Sequence, residues 1–297
     1  SDIATTSGSN AGLGKDFSGN GNYWNTNNIS VTTGATYDAM IDSPTNASAS
    51  GTQPVGNYSN INPLSGSTIG TIDNANLRLY YNGANWSRQI STIGMTTGKY
   101  YAEFIVGTAS SYGDVGIINI THPASTAIGN TATSYNYRST GVKGNNSVQS
   151  AYGASYTTND VIGVAFDVGG GTITFYKNNS SQGTAFTGIS GQFAFGVTTY
   201  NHPSLGNVTY NCNFGQQPFA YTPPTGFVAL NTYNLPTPTI GATASTQANK
   251  YMDATTYTGT GSTISVVNAS SFKPDMVWQK CRSTAYQNNV WDSVRGV

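Results

Sequence analysis

The run Val161-Ile162-Gly163-Val164-Ala165-Phe166 constrains this chain most, because it contains no polar side chain at any position. Side chains alternate across a strand, so a run without alternation is buried on both faces. Asp167 to Gly171 follows, then Thr172 to Lys177. Glycine takes positive φ without a Cβ clash, so Gly169-Gly170-Gly171 suits the reversal between two paired strands. Asn178-Asn179 opens the next turn with the residue type that best tolerates left-handed backbone after glycine. A central strand of this kind needs a covering layer on each side, which predicts stacked sheets.

The neighbouring segments agree. Leu77 to Tyr81, Lys99 to Val106, Val115 to Ile120, Phe193 to Tyr200 and Val208 to Phe214 read as strands with turns between them, the pattern of a sandwich. In Lys99 to Val106, the residues Tyr100, Ala102, Phe104 and Val106 fall on one face. No segment keeps a helical period beyond a turn or two. The expected fold class is all-β, an antiparallel β-sandwich.

Composition decides whether such a chain can hold a core. Charged residues are only 8% and the formal net charge is zero, yet aromatics reach 12%, with 20 Tyr and 11 Phe. Disordered chains are poor in aromatics, so this one is expected to fold. A surface without net charge has no field to steer nucleic acid or an anionic membrane, and no segment is apolar enough to span a bilayer. Neither nucleic acid nor membrane insertion is expected.

Four regions follow. Residues 1–62 are turn-rich, with Gly19-Asn20-Gly21-Asn22 and Asp42-Ser43-Pro44-Thr45-Asn46 as turns and Ile29-Ser30-Val31 as a short strand. With too few apolar residues for a core, this extended segment is expected to lie against a neighbouring module. Residues 63–223 form the sandwich. Residues 224–239 hold Pro224, Pro236 and Pro238, with Pro223 immediately before, and read as a proline-rich linker. Residues 240–297 look like the start of a second β module, with strands over Lys250 to Thr258, Ser262 to Val267 and Met276 to Gln279. The chain begins at Ser1 and stops at Val297 just after a strand-like stretch, and reads as a piece of something longer.

Catalytic and metal signatures are sparse. His122 and His202 each precede a proline and stand in no ligand spacing. Glu103 is the only glutamate; a glycosidase needs a second carboxylate such as Asp114 or Asp160 across the sugar, and Glu103 reads instead as a strand carboxylate bonded to Arg88. Asp16-x-Ser18-x-Asn20-Gly21 has the spacing of half a calcium loop, but Asn27 occupies the position that needs a bidentate carboxylate, so a hydrogen-bonded turn is expected. Cys212 alternates into a core face, and Cys281 falls in another module, so no bridge is expected. No catalytic residue, cofactor or metal is assigned. The remaining contact chemistry is aromatic: Tyr112, Tyr135, Tyr137, Tyr152, Tyr156 and Tyr200 read as loop or strand-end residues. There they either cap the core or present flat faces to a ligand.

A resemblance adds to this reading. Asn85-Trp86-Ser87-Arg88, Gly98 to Phe104, Asp160 to Asp167, Gly171 to Asn179, Gly183 to Phe186 and Asn213-Phe214-Gly215 resemble, in order and spacing, the SPRY domain family, with Asn179 where the family prefers Gly. The resemblance covers roughly residues 70 to 220. It implies a concanavalin-like jelly roll and, from the family elsewhere, peptide binding by loops at one end of the sandwich. These loops do not match the family's binding loops residue by residue.

The flanks are similar to segments of marine-phage structural proteins, where SPRY and laminin-G-like modules adjoin. Lys15 to Asn22, Asp42 to Asn46, Gly56 to Leu64, Phe272 to Trp278 and Trp291 to Gly296 carry that similarity. It implies a non-enzymatic structural component of a virion surface appendage, a tail or head fibre. Its partners would be other virion proteins in a homo-oligomer, a trimer by preference, and a host surface glycan. A secreted bacterial adhesin or carbohydrate-binding module is the alternative, and a tail-spike depolymerase a more distant one.

Overall fold

The computed structural model describes residues 15–16, 18–23, 28–30, 32–34, 37–38, 40, 48–50, 53–66, 70–81, 86–108, 112–122, 126–200, 208–237, 241, 245–268 and 270–294. The side chains of 48–50, 53–55 and Tyr200 are outside that set. The expected turn at 42–46 and His202 also lie outside the described residues. The chain divides into two units, Ser1–Leu235 and Pro236–Val297.

The first unit begins with a small hairpin, β1 (Ser48–Ser50) and β2 (Gln53–Val55). Its body uses β3 (Thr71–Asp73), β4 (Arg78–Tyr81), β5 (Trp86–Ile90), β6 (Lys99–Thr108), β7 (Asp114–Asn119), β8 (Ser134–Arg138), β9 (Val142–Asn145) and β10 (Val148–Ala151). It continues with β11 (Val161–Asp167), β12 (Thr172–Lys177), β13 (Ser180–Phe186), β14 (Phe193–Tyr200), β15 (Val208–Asn213) and β16 (Val228–Ala229). A six-stranded sheet runs β10-β9-β8-β7-β14-β5, and an eight-stranded sheet runs β13-β12-β11-β6-β15-β4-β3 with β16 added beside β6. All pairs are antiparallel except β16 with β6.

The two sheets stack face to face around one aromatic core. Phe104 of β6 meets Phe195 of β14 with ring centroids 6.5 Å apart, and Phe166 of β11 meets Phe193 of β14 at 5.5 Å. β11 lies between β6 and β12 with Ile162 through Phe166 buried, as its unbroken apolar run requires. Cys212 faces the core, burial pushes its thiol pKa up, and both cysteines are free. The two-residue turn Asn178-Asn179 joins Lys177 to its partner Ser180 with φ of 48° and 69°. Positive φ at both central positions matches the right-handed twist of the hairpin.

Straps cover the outer faces as well. On the six-stranded sheet, Ile128 sits against Gly196, where an added Cβ would come within 2.8 Å of the Ile128 side chain. Ile128 N–H donates to Thr198 Oγ1 at 3.0 Å, and Asn136 Nδ2 donates to the Ile128 carbonyl at 2.8 Å. On the eight-stranded sheet, the 218–221 strap lies over β6, with the Phe219 ring 5.1 Å from that of Tyr101.

The boundaries differ from those read in the sequence. The stretch taken as a linker returns to the sandwich: Val228 and Ala229 pair with Tyr100 and Tyr101, and Leu230 is fully buried. β15 pairs with β6 from Glu103 onward, so the first residues of β6 keep a free edge, and β16 takes it. Proline bars a central ladder at its own position and says nothing of the residues beyond it. Gly215 makes the approach possible, since its φ is 110° and a Cβ there would collide with Ala229. The N-terminal segment is likewise integral from residue 56. Tyr58 pairs with Asn231 and Ile61 with Ser91, and both Tyr58 and Ile61 are buried. Thr232 N–H donates to the Asn57 carbonyl at 3.0 Å, Asn57 N–H to Thr232 Oγ1 at 2.9 Å, and Ser59 N–H to the Leu230 carbonyl at 2.9 Å.

Further upstream, the described part of the expected strand, Ile29 and Ser30, is not in a strand. The Asp16 turn does form: Ser18 N–H and Asn22 N–H donate to its two carboxylate oxygens at 2.7 and 2.8 Å. These bonds, with the Ser18 side chain, hold the Asp16 pKa below its ordinary value.

Among its described residues, the second unit contains a 3-10 turn (Ala248–Lys250) and one hairpin, β17 (Met276–Gln279) with β18 (Asn289–Asp292). The strands expected over 250–258 and 262–267 are absent: those residues are irregular and nearly all exposed. Alternation becomes a strand only where a partner edge and a buried face exist, and the described residues there have neither. No helix among the described residues is long and apolar enough to cross a membrane.

Candidate functional site

The candidate site is the end of the six-stranded sheet where β5 begins and β8 ends. Register brings its residues together. Asp114 of β7 lies opposite Arg138 of β8 and, on its other side, Thr198 of β14; Trp86 of β5 lies opposite Tyr200 of β14.

Asp114 and Arg138 form a bidentate pair. Arg138 Nε donates to Oδ1 at 2.7 Å and Nη2 to Oδ2 at 3.1 Å. The Asp114 side chain is 0% exposed, and burial pushes its pKa up to about 6 against the opposing pull of Arg138. Burial works against the Arg138 charge too, but the bonds and charge of Asp114 outweigh it and hold the guanidinium above its ordinary value. The guanidinium carbon lies 5.5 Å from the centre of the Trp86 ring, and the Tyr112 ring meets Trp86 edge-on at 5.9 Å and 87°. Beneath them, Tyr156 donates its hydroxyl to the Gly113 and Tyr137 carbonyls at 3.0 Å each, and lies 3.3 Å from the Tyr210 hydroxyl. The result is a half-buried aromatic ledge fixed from behind by an ion pair, a surface suited to flat contact.

The sequence-read tyrosines separate here. Tyr112 belongs to the ledge. Tyr200 enters it by backbone register, its side chain being outside the described residues. Tyr137 is a correction: it is fully buried on β8, packed against Tyr152, Tyr156 and Phe175, and donates its hydroxyl to the Ala154 carbonyl. Tyr156 is buried likewise. Both face the core because their strand and the 152–156 segment close one flank of the sandwich. Tyr135, also on β8 rather than in a loop, is half-buried against Phe186 and Phe193. Tyr152 donates to the Gly183 carbonyl, and burial pushes its hydroxyl pKa up to about 12. Lys143 spans the two sheet edges, donating to the Ala185 carbonyl at 2.6 Å over the rings of Tyr152 and Phe186.

Sequence reasoning passed over Trp86 and Arg138 as contact residues. Trp86 lies within the Asn85-Trp86-Ser87-Arg88 stretch, and a tryptophan at a strand start is the available signal. The Asp114–Arg138 pair is 24 positions apart in sequence and depends on β7–β8 register.

Three carboxylates elsewhere, Glu103, Asp160 and Asp167, are engaged structurally. Glu103 does not reach Arg88. It accepts from Ala220 N–H at 2.7 Å, Tyr221 N–H at 3.0 Å and the Tyr101 hydroxyl at 3.2 Å, under the 218–221 strap. Burial raises its pKa, against these bonds. Arg88 instead donates to the Ser65 carbonyl at 3.0 Å. Asp160 pairs with Lys177 at 3.3 Å and Asp167 with Lys99 at 2.9 Å. Among the described residues, no group of three or more His, Cys, Asp or Glu could hold a metal ion.

Comparison with known proteins identifies two domain matches. Residues 99–217 match the family model described as SPRY domain, and residues 247–297 match a domain of unknown function, DUF7483. The chain thus carries a SPRY domain as the body of its β-sandwich. The ATP-dependent RNA helicase DDX1 of Xenopus laevis is 31% identical over 152 residues, covering 49% of this chain and 19% of that protein. The ATP-dependent RNA helicase Ddx1 of Drosophila melanogaster is 31% identical over 134 residues, covering 44% of this chain and 17% of that protein. The matches therefore span less than a fifth of the length of these relatives. Among solved structures, the SPRY domain of human HERC1 aligns with a TM-score of 0.46 and 20% identity, covering 52% of this chain and 98% of that one. A stonustoxin structure aligns with a TM-score of 0.44 and 17% identity, over 52% of this chain and 27% of that one.

Proposed function

We propose that this chain is a non-enzymatic component of a phage virion surface appendage, a tail or head fibre, whose SPRY sandwich serves as an attachment module. The observation that carries the binding role is the Trp86–Tyr112 ledge braced by Arg138, at the end of the six-stranded sheet where β5 begins and β8 ends. SPRY domains are interaction modules in general, and an aromatic ledge with little free charge suits a host surface glycan or protein. The virion setting rests on the resemblance of the flanking segments. It carries with it extracellular exposure, other virion proteins as partners and assembly into a homo-oligomer, a trimer by preference.

A secreted adhesin with the same modules would use the same ledge. A tail-spike depolymerase is disfavoured because Glu103, Asp114, Asp160 and Asp167 all serve structural bonds. The test is depletion of the purified chain by susceptible host cells, with Trp86→Ala and Tyr112→Ala as variants and reducing-end release followed in parallel. Binding lost in both variants without sugar release supports the reading. Binding unaffected by both, or steady release of reducing ends, overturns it. Immunogold labelling of particles separates a virion component from a secreted adhesin.

A further inference from the structure

Asp73, Arg78 and Asn211 stand in one row across three neighbouring strands. Asp73 of β3 is paired with Arg78 of β4, and Arg78 with Asn211 of β15. Their sequence neighbours Leu77, Leu79, Tyr210 and Cys212 are buried in the core, so the row lies on the outer face of the eight-stranded sheet. Adjacent strands are about 4.8 Å apart, which spaces three planar polar side chains evenly.

A wall rises beside this row. Tyr37 and Asp38 are fixed over the sheet because the buried Gln217 side chain donates to the Tyr37 carbonyl at 2.8 Å. Asp38 is braced in turn, its N–H donating to the Ser30 carbonyl at 2.8 Å and its Oδ2 accepting from Ser30 N–H at 2.6 Å. Row and wall enclose an open cleft of about 460 Å³, completed by Asn74 and Met40. That volume lies within the range of small-molecule sites, roughly 300–1,000 Å³.

The chemistry selects the ligand. Apart from Met40, every lining side chain carries a polar group, which disfavours an apolar molecule. Two carboxylates face one guanidinium, so an anion is repelled. A metal ion would have to share its oxygens with Arg78, whose Nε lies 3.6 Å from Asp73 Oδ1. That distance is too long for a hydrogen bond, and Asp73 Oδ1 is turned inward and accepts none, although the carboxylate as a whole is 44% exposed. A hydroxyl both donates and accepts. Adjacent hydroxyls match the forked groups of Asp, Asn and Arg, and a flat sugar face suits the Tyr37 ring. We infer that the cleft formed by Tyr37, Asp38, Asp73, Asn74, Arg78 and Asn211 binds a neutral saccharide. This goes beyond the attachment reading and does not depend on the Trp86 ledge.

The test uses the intact chain with the methyl pyranosides of glucose, galactose, mannose and N-acetylglucosamine at millimolar concentration, read by saturation-transfer NMR, with sialyllactose as the anionic comparison. At least one neutral pyranoside should bind. Its affinity should fall about tenfold in Arg78→Ala and in Asp73→Asn, the loss of one charge-assisted bond, and stay unchanged in Trp86→Ala. Thermal unfolding of each variant checks the fold, and Asp73→Asn keeps the side-chain shape should Arg78→Ala melt early. Absence of transfer to all four pyranosides overturns the assignment. So does binding that survives both cleft substitutions, or tighter binding of the anionic sugar.

Discussion

Tyr101 and Glu103 are two residues apart on β6 and therefore share a face, where the Tyr101 hydroxyl donates to Glu103 at 3.2 Å. With the Ala220 and Tyr221 amides, this gives one buried carboxylate three donors. Glu103→Leu strands those donors under the 218–221 strap. The expected cost is about 2–4 kcal/mol, read from urea unfolding, with Glu103→Gln falling between it and wild type. A Glu103→Leu protein as stable as the parent would mean the strap is held by Phe219 packing alone.

The Asp114–Arg138 pair should be asymmetric to mutation. Arg138→Ala leaves a wholly buried carboxylate without its partner and should cost about 3–5 kcal/mol. Replacing both together, Asp114→Leu with Arg138→Met, removes the charge along with the need for it and should cost less than either single change. A double-mutant cycle on denaturant midpoints gives the answer; simple additivity would refute it.

The same pair sets a pH dependence. The folded-state pKa of Asp114, about 6, lies above its ordinary value of 3.8. Between these values the unfolded chain has released the proton and the folded chain still holds it. Stability contributed by this group is therefore fully present below pH 3.8 and is lost as pH rises to about 6, with no further change above. Glu103, raised by burial, acts in the same direction. Unfolding free energy measured from pH 4 to pH 7 should decline less steeply in Asp114→Asn than in the parent.

Asn179 sits at φ 69° beside Asn178 at 48°. A β-branched side chain there clashes with the following carbonyl, so Asn179→Val should cost about 1–2 kcal/mol, while Asn179→Gly stays within about 0.5 kcal/mol. Thermal scans of the two variants distinguish them.

Tyrosine substitutions should split by position. Tyr137→Ala removes a core ring and should cost about 3–5 kcal/mol. Tyr112→Ala should leave stability nearly unchanged and weaken attachment to host cells. That attachment should vary little between low and physiological salt, because stacking and neutral hydrogen bonds are not screened as charges are. A steep salt dependence would assign the contact to charge instead.

The fold was legible where burial writes itself into the sequence. Val161 to Phe166 was readable as a central strand because both of its faces are covered, and Asn178-Asn179 as a turn because two left-handed positions demand such residues. β8, β9 and β10 were not readable. Ser134, Asn136, Gly144 and Gln149 mix with aromatics there, and what buries Asn136 is the Ile128 strap, a tertiary contact. Residues 228 and 229 were hidden behind prolines, since the edge that receives them belongs to Tyr100 and Tyr101, more than a hundred positions earlier. The candidate site was half legible: Tyr112 could be named, while Trp86 and Arg138 acquire their meaning only from strand register.

The clasp between residues 57–59 and 230–232 has a mechanical consequence. Its two segments run antiparallel, so residues 57 and 232 lie at the same end of it. A pull applied at residues 57 and 232 therefore opens the clasp as a zipper, loading the Thr232–Asn57 bonds first and the Ser59–Leu230 bond after them. Bonds loaded in sequence yield at lower force than bonds sheared together. A module strung this way gives slack at its seam while its sheets stay whole, a compliant joint rather than a rigid bead.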